Sequence, residues 1–287
     1  LSISTPASII ALFACVLWAA FIEKAGLKKT TIITMVLAGI SMIAYGNSVN
    51  IAMYAVSLVC IVTFINAFAC NCGFAICANW FPTKKGIVMG YTTMGHNMST
   101  GFFVPLITML VARMGVTNAV VFPVILIVIL AFVGLVFMRN TPQERGINPD
   151  NVSDEEYRNE YFNEEIDEDG GWTVKKLFSK KTFWLVAVAS GGFQFVSTII
   201  ITQLVVRNQE VGFTQAQALT IMTILAFAGI VGSWIIGAMD QKLGTKKTMI
   251  FFGIWYAVAL LLEVTEKRPL VIVFLIMFAL ALGGSAN

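Results

Sequence analysis

The sequence predicts an all-α polytopic membrane protein built from two similar halves, and three observations predict it. Of 287 residues, 57% are hydrophobic and only 12% charged, whereas soluble domains carry about a quarter charged. The apolar residues gather into runs of about 20, the length of a helix crossing a bilayer core. A short loop pattern near the start of the chain also recurs near its end. Such a composition excludes a soluble enzyme, a disordered tail and a collagen-like fibre. With 19 Lys+Arg against 16 Asp+Glu and no basic tract, nucleic acid is not an expected partner.

The spans fall at 6–22, 30–46, 51–79, 86–112, 116–138, 183–206, 215–239, 248–262 and 269–287. The third is too long for one untilted crossing, and Trp80 at its end reads as an interfacial anchor. Pro105 and Pro123 sit inside spans and are expected to bend them. Cys15, Cys60, Cys70, Cys72 and Cys77 all lie in apolar runs and read as small buried hydrophobes. Cys70-x-Cys72 lacks zinc spacing and a partnering cluster, so no metal is expected. The chain starts at Leu1 and stops inside an apolar run, the expectation for a piece cut at both ends.

Charge placement sets the topology. Connections one, three and seven carry Lys24, Lys28 and Lys29; Lys84 and Lys85; and Lys242, Lys246 and Lys247. The fifth, 139–182, adds a further basic group, while the even connections carry only Arg113, Arg207, Lys267 and Arg268. By the positive-inside rule the odd connections face the cytoplasm, in a plasma or inner membrane. No Lys, Arg, Asp or Glu remains within a span. The fifth connection also holds an acidic run from Asp150 to Asp169, which reads as a solvated connector.

That linker divides the chain into residues 1–138, 139–182 and 183–287. Across it, Gly26-Leu-Lys28-Lys29-Thr30 recurs as Gly244-Thr-Lys246-Lys247-Thr248, each after an acid, Glu23 and Asp240. Phe68-Ala69-x-x-x-Gly73 recurs as Phe278-Ala279-x-x-x-Gly283 in the same order. Parallel halves around a linker are the mark of carriers whose halves rock about a midplane site.

Glu23-Lys-Ala-Gly26-x-Lys28-Lys29 resembles the loop signature of the major facilitator superfamily, and Asp240…Gly244-x-Lys246-Lys247 its second-half counterpart. Asn79-Trp-Phe-Pro-Thr-Lys-Lys-Gly86-x-x-x-Gly90 resembles the oxalate/formate antiporter family and its monocarboxylate-carrier relatives, as does Phe183-Trp184. The sequence departs from the pattern in having Glu23 rather than Asp and an extra residue before Gly244. The resemblance implies spans two to ten of twelve in the major facilitator fold. It also implies a multi-pass carrier of a small carboxylate, working by alternating access.

Candidate substrate ligands are neutral or titrate near neutrality. In the fifth span Thr93, His96, Asn97 and Thr100 share one helical stripe; in the seventh, Gln194 and Ser197 lie with Ser190 and Thr198 on another. Two readings stay open for the hydroxyls and amides: a cavity lining, or hydrogen bonds that tie helices together. His96, the single histidine, is a cavity ligand or a packing residue. Gly229, Ser233 and Gly237 recur every fourth residue and predict close helix packing. Gating candidates are Glu23, Lys28 and Lys29, Lys84 and Lys85, Asp240, and Lys246 and Lys247. Asp240 is expected to meet the start of the fifth span when the cytoplasmic side closes.

A membrane-embedded enzyme would need a cluster of catalytic groups at one depth, which the spans lack. No enzyme activity and no cofactor are therefore expected. The partners are a small-molecule substrate, a coupling ion or counter-substrate and the lipid bilayer, and the chain is expected to act as a monomer. The alternatives are a drug/proton antiporter or another carrier of a neutral solute.

Overall fold

A computed structural model describes residues 4–161, 174–264 and 268–282; at 4, 5, 100, 159–161, 174, 175, 219, 268 and 282 only the backbone is described. The helices are α1 (Ser4–Ala25), α2 (Leu27–Gly46), α3 (Ile51–Asn66), α4 (Gly73–Trp80), α5 (Lys85–Met98), α6 (Val104–Ala119) and α7 (Val121–Phe137). They continue as α8 (Asp154–Tyr161), α9 (Val174–Ser179), α10 (Lys181–Glu210), α11 (Gln215–Leu243), α12 (Thr245–Glu263) and α13 (Arg268–Leu282). The described residues contain no strand. Two π-helical turns, Ala67–Cys72 and Ser99–Phe103, join α3 to α4 and α5 to α6. Residues 51–80 are thus one helical stretch, and residues 85–119 a second that is interrupted at Gly115. Among the described residues seven helical stretches are long and apolar enough to cross a membrane, and Val121–Phe137 and Pro269–Ala281 are shorter apolar helices. The protein is an all-α polytopic membrane protein.

Local chemistry places the ends and the irregularities. Asn50 caps α3 by accepting from the Met53 amide at 2.8 Å, and Thr214 with Gln217 forms a capping box on α11. Hydroxyls within the spans return to their own helices, as Thr34 does to the Thr30 carbonyl and Ser57 to that of Met53. Lipid offers no other partner. Pro105 lacks an amide to donate and crowds the carbonyl four residues back; the π turn just before it absorbs that misfit. Pro123 lies in the first turn of α7, where a missing amide costs nothing and no bend is needed. The break expected near Arg113 falls at Gly115, whose φ is +78°.

Two compact units are present. The first joins Leu1–Thr83 to Leu106–Tyr157. In it α2 packs between α3 and α7, and α1 lies on α3. The Thr117 hydroxyl donates to the Gly46 carbonyl at 2.7 Å, and the Asn71 amide to that of Cys15 at 3.0 Å. The beginning of the linker belongs to this unit and corrects the expectation of a solvated connector there. Asp150 is 6% exposed, and one carboxylate oxygen accepts both the amide and the hydroxyl of Thr83, at 3.0 and 2.8 Å. Asn140 accepts from the Lys28 amide at 2.9 Å. Both clamps hold linker residues against connections that precede membrane helices. The acids at 164–169 lie outside the described residues.

The second unit joins Lys84–Pro105 to Arg158–Asn287, so α5 clusters with α10–α13 rather than with residues 1–83. The cause is its seam along α11. The unit's core is aromatic: Phe252, Tyr256, Phe274 and Phe278 pack with Leu204 and Leu225, and Trp255 donates to the Met277 carbonyl at 2.9 Å. Between helices in lipid there is little hydrophobic gain, so close packing and hydrogen bonds such as these hold the unit together.

Candidate functional site

The α5–α11 seam is built from glycine. A Cβ on Gly90 would lie 2.9 Å from the Ser233 carbonyl oxygen, and one on Gly237 2.7 Å from that of Gly86. The backbones therefore approach as closely as small residues permit. Gly229, Ser233 and Gly237 do act in packing, as their spacing predicts. Asn97 fills a polar gap: its amide donates to the Ser233 hydroxyl at 2.9 Å, which donates to the Gly229 carbonyl at 2.9 Å. Gly101 continues the seam against Ala226.

That geometry splits the predicted stripe. Thr93 and Asn97 are 3% and 2% exposed; Asn97 turns to α11, and Thr93 also donates to its own helix at Met89, 2.9 Å away. His96 is exposed on another face of α5, beside Gly95, which has open space around it. The Thr100 side chain lies outside the described residues. On α10 the division repeats. Ser197 is buried and hydrogen-bonded to the Tyr256 hydroxyl of α12, whereas Gln194 is exposed. Tyr256 was not legible as a partner, since nothing in its own sequence context distinguishes it.

At the linker-side end of the seam Asp240 meets α5. A Cβ on Gly86 would stand 2.5 Å from an Asp240 carboxylate oxygen, which places the carboxylate against the first turn of α5. Unpaired amides and the helix dipole favour an anion there. Lys85 and Asp240 line one cavity of about 220 Å³ with Ser190, Thr245 and the Phe193 and Phe252 rings. Lys84 is the residue preceding α5 and supplies no side-chain cap. Lys246 and Lys247 are exposed in the first turn of α12.

The other gating candidates lie around the turn at Gly26. Gly26 turns the chain with φ +84°, and Asn140 seals the turn from the linker. Asn140 in turn donates to Glu144 through its backbone at 3.2 Å and its amide at 2.8 Å. The Asn140 hydrogen bond is the main reason the Glu144 carboxyl is held below its ordinary range. Glu23 and Lys29 are exposed. Among the described residues no three His, Cys, Asp or Glu side chains gather as metal ligands.

The family profile of the Major Facilitator Superfamily matches residues 2–287. The chain belongs to that superfamily. Among the relatives of this chain is the "Glycerol-3-phosphate transporter" of Bacillus subtilis (strain 168), 26% identical over 201 residues, covering 66% of this chain and 44% of the relative. Another is the "Uncharacterized MFS-type transporter YhjX" of Escherichia coli (strain K12), 20% identical over 228 residues, covering 77% and 52%. The chain spans about half the length of these curated relatives.

Proposed function

We propose that this facilitator is a secondary transporter that moves a small organic anion, of carboxylate class, by alternating access. The observation that carries the reading is His96. It is the single histidine, it is left uncovered on α5 while its neighbours Thr93 and Asn97 are buried, and an imidazole N–H can donate a hydrogen bond to a carboxylate. Gln194, uncovered on α10, is a second ligand, and Thr93, Asn97 and Ser197 shape the site around them; Thr100 joins the ligand set on its place in the sequence stripe alone. The sequence repeat assigns α5 to a first half, 1–138, and α11 to a second, 183–287, with 139–182 as a cytoplasmic linker. Their glycine seam is then the surface on which the halves rock, with Asp240 and Lys85 at its gate. Glu23, Lys28 and Lys29 work at the equivalent place in the first half. Coupling is to an ion or a counter-substrate, the protein acts as a monomer in the plasma or inner membrane, and it performs no catalysis.

A phosphorylated organic anion is the second reading, favoured by the name of the Bacillus subtilis relative. Counterflow in proteoliposomes with formate, lactate, oxalate and glycerol 3-phosphate separates the two. Uptake of a monocarboxylate supports the first and of the phosphate ester the second. Transport confined to neutral solutes or cationic drugs overturns both.

A further inference from the structure

The elbow between α9 and α10 has the features of a lipid site. Lys175, Lys176, Lys180 and Lys181 lie within seven residues of one another, and immediately after them α10 turns apolar and uncovered. Leu185 is 60% and Val188 71% exposed. A change from lysines to bare aliphatic surface over one helical turn is what the boundary between headgroups and acyl chains demands.

The elbow is built rather than loose. The Trp184 indole donates to the Phe178 carbonyl at 2.9 Å, closing α9 onto α10. Phe178, Phe183 and Trp184 form a mutual ring cluster with centroids 5.2 to 5.5 Å apart. Beside the cluster lies a cavity of about 590 Å³ lined by Leu177, Lys180, Thr182, Phe183, Val186 and Ala187. Lys180 and Thr182 stand among its polar groups, Val186 and Ala187 among its apolar ones, and no acid lines it. The Asp240 cavity, by contrast, contains its own carboxylate. Positive charge at one end and aliphatic surface at the other complement one kind of ligand.

We propose that this elbow binds an anionic phospholipid, its phosphate at Lys180 and Thr182 and its upper acyl chain along Val186 and Ala187. Basic pockets beside membrane helices at the headgroup level recognise acidic lipids in this way. Ser190 and Val186 line both this cavity and the Asp240 cavity. A lipid seated here therefore abuts the wall of the gate, and the site does not depend on which substrate is carried.

The test is native mass spectrometry of the purified full chain with phosphatidylglycerol and phosphatidylcholine of identical acyl chains. Phosphatidylglycerol should be retained preferentially. Lys180→Gln should reduce its occupancy about fivefold, the effect expected of one juxtamembrane basic residue, and adding Lys181→Gln should reduce it further. Ala187→Trp, which fills the apolar end, should expel the lipid with all lysines in place. Lys242→Gln, an exposed lysine at the end of α11, should change nothing. Retention unaffected by Lys180→Gln and Ala187→Trp, or lost equally in Lys242→Gln, would overturn the proposal. Displacement by millimolar inorganic phosphate would also overturn it, because the site would then hold a free anion.

Discussion

Gly26 and Gly244 hold the same backbone conformation, φ 84° and ψ 159° in the first and φ 82° and ψ 152° in the second. Each immediately precedes a helix, and in each case a threonine four residues on donates to the glycine carbonyl, Thr30 at 2.8 Å and Thr248 at 3.2 Å. This region of φ and ψ is essentially open to glycine alone. The duplicated Gly-x-Lys-Lys-Thr is thus a duplicated turn. One difference separates the copies: a Cβ on Gly26 would lie 2.9 Å from the Asn140 side-chain oxygen, whereas Gly244 has nothing within 4 Å.

Alanine at either glycine should cost about 1–3 kcal/mol in backbone strain. Gly26→Ala should cost more, because it also displaces the Asn140 clamp from the Lys28 amide. Thermal unfolding of the purified variants compares them. Equal losses would show that the clamp adds no stability.

Gly232 tests packing of another kind. A Cβ there would come within 2.1 Å of the Leu280 carbonyl oxygen, a backbone atom that cannot swing aside. Gly232→Ala should therefore force α11 from α13 and destabilise by about 1–3 kcal/mol. Gly134→Ala, with nothing within 4 Å, should be neutral or slightly stabilising. Identical melting of the two variants would refute the contact.

The spans, the repeat and the glycine seam were legible because each follows from periodicity or spacing, which one sequence displays. Gly229, Ser233 and Gly237 announce a close contact by size alone. The direction of a polar stripe was less legible: Thr93, His96 and Asn97 share a face by helical arithmetic, yet the seam takes two and leaves the histidine. Only the neighbouring helix decides that. Asp150 was hidden for a different reason. It begins an acidic run and reads as part of it, although Pro149 and the neighbouring positive-φ residues Asp150 and Asn151 make a turn that carries it inward. Asn-Pro-Asp is a turn pattern, and giving it more weight than the charge run would have exposed the clamp to Thr83.

The Glu144–Asn140 contact is pH-dependent in a defined direction. Its carboxyl titrates below the ordinary glutamate range in the folded chain. The contact therefore stabilises above the unfolded value and is lost as pH falls through the lower, folded one. Hydrogen exchange at the Lys28 amide, which Asn140 holds, should accelerate relative to unclamped amides as pH falls below the ordinary glutamate range. Glu144→Gln should abolish that change. A wild-type ratio that stays as flat as that of Glu144→Gln throughout acid titration would break the link between Glu144 and the first loop.

Cysteine substitution separates the readings of the α5 stripe. In a background without the native cysteines, His96→Cys should react with a water-soluble thiol reagent, and substrate should protect it. Asn97→Cys should react at least about tenfold more slowly, since opening the buried seam far enough for reagent costs about 1.4 kcal/mol or more. Faster labelling at 97 than at 96 would reverse the assignment of these two faces.

The latch proposed at Asp240 gives the most specific expectation. Its carboxylate lies against the first turn of α5 beside Gly86, with Lys85 on the same cavity. An anion at an exposed helix start is worth about 0.3–1 kcal/mol. If the contact exists in only one of the transport states, that energy is the whole of its leverage on the equilibrium. Asp240→Asn keeps the shape and removes the charge, so it should shift the state populations by a factor of about two to five. The shift should favour the state in which this end of the seam is open and slow turnover, with little change in substrate affinity measured in that open state. Gly86→Ala approaches the same contact from the other helix. Its new methyl would press the carboxylate away at 2.5 Å, and it should move the populations in the same direction. Distance distributions from spin labels on α5 and α11 read both variants. Unchanged distributions in Asp240→Asn, with a shift in Gly86→Ala alone, would mean that close packing governs the gate and the charge does not.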